Sequence, residues 1–196
     1  MNATRTLSLL CILLSLGLTY PTFPAKAQSS ESPASIERFY VPGGSWGFAF
    51  DGENIWVAND YDGTVTKMAS DGTIEAVYRA GRYPTNLLFD GKNIWIADSG
   101  IDASGTKVTK LLARNGRFMG QFTVDEGPSA MASDGLHIWV TCFKHDTVVE
   151  LRIKDGSVVN KLELRKGLDY ILFDGSSIWV TNSPNDKITK ISQPSR

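Results

Sequence analysis

One ten-residue pattern recurs four times along this chain, and it constrains the fold more than any other feature. The copies read FDGENIWVAN (50–59), FDGKNIWIAD (89–98), SDGLHIWVTC (133–142) and FDGSSIWVTN (173–182). Their spacing is about 40 residues, which is typical of proteins built from repeated supersecondary units. The chain is therefore predicted to stack four such units side by side.

Each copy carries the signals of four short strands. The first strand ends at Asp-Gly, a pair that suits a tight hairpin turn, and the Ile-Trp run forms the second. A third strand such as Thr64–Met68 and a second turn such as Asp71-Gly72 lead to a fourth strand, Thr73–Arg79. The alternation of apolar and polar residues in the third strands predicts that these strands are half exposed. Four antiparallel strands per repeat of this length indicate a β-propeller blade.

The fourth strand of the last blade is predicted at the other end of the chain. Ile36–Tyr40 resembles the fourth strand Ile74–Tyr78. The predicted fold is all-β, a β-propeller of four four-stranded blades with the N-terminal strand completing the last blade. Alternatively, each N-terminal strand completes the partner's last blade, which gives eight blades across a dimer. An incompletely closed arc is a third possibility.

The beginning of the chain has the pattern of a secretory signal peptide. Arg5 precedes an apolar run, Leu7–Leu18, and small residues flank Lys26 before Gln28. The run is shorter than the roughly 20 residues that a membrane-spanning helix needs. The prediction is a signal peptide over 1–27 with cleavage after Ala27, a linker over 28–35, a propeller over 36–196, and a periplasmic or secreted location.

The composition narrows the class of partner. Without residues 1–27 the net charge changes from −1 to about −3, and no basic face for a nucleic acid is apparent. No second segment of membrane length follows. Cys142 is then the remaining cysteine, which excludes an intrachain disulfide bond, although its role is open. A small molecule, a peptide or a protein is the expected partner, and the protein is expected to be a monomer or a homodimer.

The repeats resemble those of the NHL and virginiamycin B lyase (streptogramin lyase) group of propellers. The resemblance lies in Phe-Asp-Gly-x-x-Ile-Trp-Val, in the later Val-Thr-Lys-Leu strand and in Gly-x-x-Pro segments such as Gly81–Pro84. It implies a propeller fold and, for the lyases, elimination chemistry that opens a cyclic lactone with histidines, an acidic residue and magnesium. Four repeats and two histidines depart from that pattern, so no catalytic residue is carried over.

The candidate site lies where the copies differ, on the end of the propeller that holds the channel opening. Two sets of loops are expected to meet there: those that lead into the first strands and those between the second and third strands. Their aromatic and polar side chains suit a polar organic ligand or a peptide. The predicted binding residues are Trp46, Asp60, Tyr61, Arg82, Tyr83, Asn86, Asp98, Lys144, His145, Asp169, Tyr170 and Asn182.

The sequence offers one catalytic candidate and two alternatives for a metal. His145 is the one candidate for a general base, with Asp98, Asp169 or Glu126 as its acidic neighbour. His137 is expected at the opposite end of the propeller. No cofactor is predicted, with magnesium as the alternative that the resemblance implies and calcium as the alternative at Asp60–Gly63.

Three functions remain open from the sequence. The leading interpretation is an exported propeller that acts as a ligand-binding or protein-interaction module. The alternatives are a lyase-like or hydrolytic enzyme related to streptogramin lyase and a structural component of the cell envelope.

Overall fold

The computed structural model describes residues 34–164, 167–183 and 186–192. The predicted signal peptide and residues 28–33 of the predicted linker lie outside this part of the chain. A short first unit ends at Glu37, and its described residues have no regular secondary structure. The main unit spans Arg38–Arg196. Within the described part, no helix is both long enough and apolar enough to cross a membrane.

The main unit consists of four antiparallel sheets, one from each repeat, in which neighbouring strands follow one another in the sequence. This arrangement confirms the prediction of an all-β propeller. The first two blades contain β1 (Ser45–Phe50), β2 (Ile55–Asn59), β3 (Thr64–Met68), β4 (Ile74–Arg79), β5 (Pro84–Phe89), β6 (Asn93–Asp98), β7 (Lys107–Leu112) and β8 (Arg117–Thr123). The last two contain β9 (Pro128–Ser133), β10 (His137–Cys142), β11 (Thr147–Arg152), β12 (Val158–Glu163), β13 (Leu168–Phe173), β14 (Ser177–Asn182) and β15 (Lys187–Ser192).

The last sheet differs from the other three. Among the described residues it has three strands, in the order β13-β14-β15. The N-terminal segment predicted to complete it, Ile36–Tyr40, is not part of any sheet. Phe39 instead packs against Gly72 in the first blade. Within one chain, Phe39 is therefore placed on the first blade, and Arg38–Tyr40 does not pair with the last sheet.

The turn between the first and second strands is fixed by one aspartate in each blade. In the second blade, Oδ1 of Asp90 accepts hydrogen bonds from the backbone N–H groups of Lys92 and Asn93, and Oδ2 accepts one from the indole of Trp95. Gly91 follows with φ +93°, a conformation that glycine adopts without strain. The same aspartate–tryptophan bond recurs in the other blades, between Asp51 and Trp56, Asp134 and Trp139, and Asp174 and Trp179.

Three apolar clusters join the blades in sequence. Trp56 packs with Leu87 of the second blade, Trp95 packs with Met131 of the third, and Trp139 packs with side chains of the fourth. The predicted core position of these three tryptophans is confirmed, since all are buried. The fourth, Trp179, is partly exposed. Each of the first three tryptophans is covered by the blade that follows it. Trp179 is more exposed because no described blade follows the fourth.

The prediction that the third strands are half exposed is wrong for three of the four blades. Strands β3, β7 and β11 are largely buried, since the fourth strand takes the outer edge and both faces are covered by neighbouring elements. Only β15 alternates between exposed and partly buried residues. An alternating third strand thus marks the blade that lacks a fourth strand in the described structure.

Candidate functional site

A cavity of about 650 Å³ lies where the loops leading into the first strands approach those between the second and third strands. All four blades contribute to its wall. Its lining residues are Trp46, Tyr83, Thr85, Asn86, Ser99, Gly100, Ile101, Asp102, Ala103, Ser129, Ala130, Phe143, Gly167, Leu168, Asp169 and Tyr170. The size and the mixture of aromatic and hydrogen-bonding groups are those of a small-molecule site.

Five residues of the predicted site line this cavity. They are Trp46 from the first blade, Tyr83 and Asn86 from the second, and Asp169 and Tyr170 from the fourth. The Trp46 and Tyr170 rings are largely exposed, so both offer a free face to a ligand. The Asp169 carboxylate is already engaged, because it accepts hydrogen bonds from the backbone N–H and the hydroxyl of Ser183.

Asp98 is buried and shapes the cavity without lining it. Its carboxylate accepts backbone N–H bonds from Arg82 (2.9 Å), Tyr83 (2.8 Å) and Gly100 (3.2 Å). It therefore ties the loop that leads into β5 to the loop that follows β6. Arg82 is exposed and does not line the cavity, and its backbone N–H is held by Asp98.

Asp60 has a similar positioning role at the first blade. It is buried, and a hydrogen bond from the Tyr83 hydroxyl to its carboxylate raises the pKa of Tyr83. Its Oδ1 also accepts the backbone N–H of Tyr61. The Tyr61 side chain is exposed and does not line the cavity. Asp60 thus lies beside the cavity wall, next to the Tyr83 hydroxyl.

The remaining predicted residues lie outside the cavity wall. Lys144 is exposed, and its Nζ is 3.5 Å from the carbonyl oxygen of Asp102. His145 is also exposed, with Nε2 3.6 Å from Oε2 of Glu126. Asn182 is buried and accepts a hydrogen bond from the Thr189 hydroxyl.

Several lining residues were not predicted from the sequence. The largest group follows β6, where the repeat is lengthened by residues 100–104 and forms a short 3₁₀ helix, Ile101–Ala103. Ser99 precedes it and is buried, with its hydroxyl bonded to that of Thr85 and to the carbonyl oxygen of Pro128. The extra length of this repeat was the available signal, because loops that depart from a repeat often carry function. Phe143 and Ser129 had no such signal.

One histidine–carboxylate group occurs at the other end of the blades. Nδ1 of His137 lies 3.2 Å from Oδ2 of Asp134 and 3.1 Å from Oε1 of Glu150. The other blades place a lysine over the tryptophan where the third blade has Glu150: Lys67, Lys110 and Lys190. In the third blade, Glu150 therefore replaces the lysine that lies near the turn aspartate in the other blades. His137 lies between this glutamate and Asp134. We interpret the group as a structural contact.

The cavity does not supply the ligand set that the lyase resemblance implies for magnesium. Its described wall contains two carboxylates, Asp102 and Asp169, and no histidine. The calcium alternative at Asp60–Gly63 stays a prediction, and the one cluster of three histidine or acidic side chains with ligand-like spacing among the described residues lies elsewhere. Cys142 is buried, and burial raises the pKa of its thiol to about 12, which disfavours the thiolate that would bind a metal.

The fold and the cavity define a β-propeller with an open concave site. A scan of the sequence against protein-family models gives no match, and a search of curated proteins gives none. Solved structures do match. A catalytically inactive virginiamycin B lyase from Staphylococcus aureus, solved with quinupristin, aligns over 82% of this chain and 60% of its own, with 15% identity and a TM-score of 0.65.

Two computationally designed proteins also superpose on the blades. Ika4 matches 82% of this chain over 100% of its own length, with 12% identity and a TM-score of 0.68. Ika8 matches 76% of this chain over 46% of its own, with 12% identity and a TM-score of 0.64. The chain spans only 57% to 60% of the lyase chains that it matches. At these identities the likeness to the lyases is one of fold, and at that level the predicted resemblance is confirmed.

Proposed function

We propose that this propeller is a binding module for a polar organic ligand that carries aromatic or amide groups. The observation that supports this proposal most is the composition of the cavity wall. Four aromatic rings, from Trp46, Tyr83, Phe143 and Tyr170, surround polar groups such as the amide of Asn86. Aromatic walls with a few placed hydrogen-bonding groups are typical of sites that hold and orient small organic molecules.

The positioning residues support the same proposal. The backbone N–H of Tyr83 is held by Asp98, and the nearby carboxylate of Asp60 raises the pKa of the Tyr83 hydroxyl. Ordered contact groups lose less conformational freedom when a ligand binds, and this favours affinity. The predicted signal peptide leads us to propose that the ligand is met in the periplasm or outside the cell.

Quinupristin is a suitable first probe, because a propeller of the same fold was solved with it. We would titrate the purified protein with quinupristin by calorimetry and repeat the titration with Trp46→Ala/Tyr83→Ala. Binding that weakens at least about tenfold in the double variant, equivalent to about 1.4 kcal/mol, supports the site. Tyr61→Ala is the matched control, since it removes an exposed tyrosine from the same end of the first blade without touching the cavity wall.

Two results would count against this proposal. If quinupristin does not bind, the proposed ligand class loses its first test compound, and if the double variant binds as well as the unchanged protein, the proposed cavity is wrong. The enzyme alternative is tested in the same samples. With magnesium present, a ring-opened product detected by mass spectrometry and lost in His145→Ala would indicate a lyase.

A further inference from the structure

The first and last blades each expose an apolar face that the inner blades bury. On β1, Phe48 is 75% exposed, whereas Leu87 and Met131, which have the same position in β5 and β9, are 5% and 7% exposed. On β15, Ile188 is 67% exposed. Its three counterparts in the other blades are 0% exposed: Val65, Val108 and Val148. Both ends of the row of blades therefore resemble interfaces without a partner.

A fourth-strand ring links each of the first two blades to the next. Tyr78 on β4 stacks on Trp56 of its own blade, with 5.6 Å between ring centroids. The same ring lies against the α-carbon of Gly116 in the following blade. The second blade repeats this arrangement with Phe122, Trp95 and Gly156. Each ring thus contacts a tryptophan behind it and a glycine ahead of it.

Phe39 occupies the equivalent position in front of the first blade. It precedes the start of β1 by the same six residues that separate Tyr78 from the start of β5. Its ring lies against Gly72, the counterpart of Gly116, so the contact ahead is made. A tryptophan behind it is missing. Trp179 in the last blade has the complementary deficit, because among the described residues it has neither a stacked ring nor a fourth-strand side chain such as Leu162, which packs in the cluster of Trp139.

We propose that a second copy of this chain fills both positions, so that two rows of four blades close into one eight-bladed ring. Phe39 of each copy stacks on Trp179 of the other, and Arg38–Tyr40 pairs with β15 as its missing fourth strand. The two junctions are identical and related by a twofold axis along the channel. Closure removes both free edges, and eight blades lie within the range known for propellers. This inference goes beyond the proposed ligand site and does not depend on it.

A second copy accounts for the exposed faces better than closure within one chain. In a ring of four blades, β1 would pack against the last blade of its own chain, yet Phe48 on β1 and Leu172 on β13 are both largely exposed. The proposed junction has the same type of blade-to-blade interface that each chain already forms three times between its own blades.

The register of the missing pair follows from the complete blades. Thr64 pairs with Arg79, Lys107 with Thr123, and Thr147 with Glu163. Each fourth-strand partner lies five residues before the next first strand, the position that Tyr40 holds before β1. Lys187 occupies the third-strand position in the last blade. We therefore expect Tyr40 of one copy to lie directly opposite Lys187 of the other.

The test is a disulfide trap between two chains. One chain carries Tyr40→Cys and the other carries Lys187→Cys, each in the full sequence and each with a different tag. The two chains are expressed together, purified and oxidised. The bridged peptides are then identified by mass spectrometry. We expect a disulfide that joins the two tags and a native mass, measured by light scattering, of twice the chain mass. When one chain carries both Tyr40→Cys and Lys187→Cys, we expect the disulfide to join two copies of that chain and not to close within one copy.

The control is Arg79→Cys with Lys187→Cys. Arg79 has the position of Tyr40 in a blade that is already complete, so no bridge is expected. A bridge within one chain at the mass of a single chain would overturn the proposal in favour of a four-bladed ring. The absence of any bridge at this pair, or a stable mass other than that of two chains, would overturn it as well.

A second measurement does not depend on cysteine chemistry. Phe48→Asp places a charge on the exposed face of β1, and we expect the mass to shift from two chains to one at equal concentration. Phe118→Asp changes a residue of similar exposure, 61%, on the outer strand β8 and is expected to leave the mass unchanged. Circular dichroism confirms that both variants are folded. An unchanged mass in Phe48→Asp would contradict the junction.

Discussion

The indole N–H of Trp95 donates a 2.6 Å hydrogen bond to Oδ2 of Asp90, five residues earlier in the chain. The bond spans the turn and is shielded by the buried tryptophan ring. Because the same carboxylate also accepts hydrogen bonds from two backbone N–H groups and from the side-chain amide of Asn93, one side chain satisfies four donor groups. The stability of each hairpin therefore depends strongly on the charge of its aspartate.

Asp90→Asn is expected to lower the free energy of unfolding by about 1–3 kcal/mol, because the amide cannot accept at both positions without turning its N–H₂ toward a donor. Urea unfolding followed by tryptophan fluorescence measures this loss. Asp71→Asn is the control, since Asp71 is exposed and caps the backbone N–H of Thr73 at a turn without a tryptophan bond. Equal losses in the two variants would show that the bond to Trp95 adds little.

The same aspartates predict a loss of stability in acid. Burial raises the pKa of Asp90, but hydrogen bonds from Trp95 and Asn93 outweigh it and hold the pKa below its ordinary value. For Asp174 the hydrogen bond from Trp179 is the main cause of a lowered pKa. A lowered folded-state pKa stabilises the fold at every pH above the unfolded value of about 3.9, and this contribution disappears as the pH falls through the folded value.

We therefore expect urea midpoints that are constant near neutral pH and fall below about pH 4. Asp90→Asn should show a shallower fall, since one of the responsible carboxylates is gone. A curve for Asp90→Asn parallel to that of the unchanged protein would refute its role in the acid response.

The histidine of the third blade offers a test of charge compensation. His137→Asn alone is expected to cost about 1–2 kcal/mol, because an asparagine can donate to Asp134 as Asn93 does to Asp90, but the Glu150 carboxylate loses the ring nitrogen that lies 3.1 Å from it. His137→Asn with Glu150→Lys recreates the asparagine and lysine of the second blade, Asn93 and Lys110, and should recover most of the loss. Thermal unfolding of the unchanged protein, the two single variants His137→Asn and Glu150→Lys, and the double variant gives the coupling, and additive losses would argue against compensation.

Cys142 is expected to resist thiol reagents in the folded protein. Burial raises its pKa to about 12, so at pH 8 almost none of it is the reactive thiolate. Exposure to iodoacetamide at pH 8, followed by peptide mass spectrometry, should show modification of this residue only after unfolding in guanidinium. Rapid modification of the native protein would mean that β10 opens readily.

The blade architecture was predictable because its signals are local. Asp51-Gly52 and Trp56 lie within one hairpin, and the hairpin recurs with its spacing preserved. The N-terminal segment was harder, because its partner is distant in sequence. Comparison of residues matched Tyr40 with Tyr78, whereas the contact with Gly72 shows that Phe39 holds that position. A shift of one residue moves every side chain of a strand to the other face.

The cavity was only partly predictable, for a physical reason. Trp46 and Tyr170 are bulky residues in loops or strand starts, where no core position demands them. Asp98 has the same appearance in the sequence, but its oxygens are occupied by backbone N–H groups of a neighbouring loop. Whether a polar side chain binds a ligand or its own backbone depends on loop geometry, which spacing does not reveal.

The bond between aspartate and tryptophan has a consequence for how the chain reaches its native state. It joins two residues only five positions apart, so it closes early and at little entropic cost. Each of the four hairpins thus carries its own nucleation point, and ordered structure can start at any of them and spread to its neighbours, as in other repeat proteins. A single damaging substitution removes one starting place and leaves three.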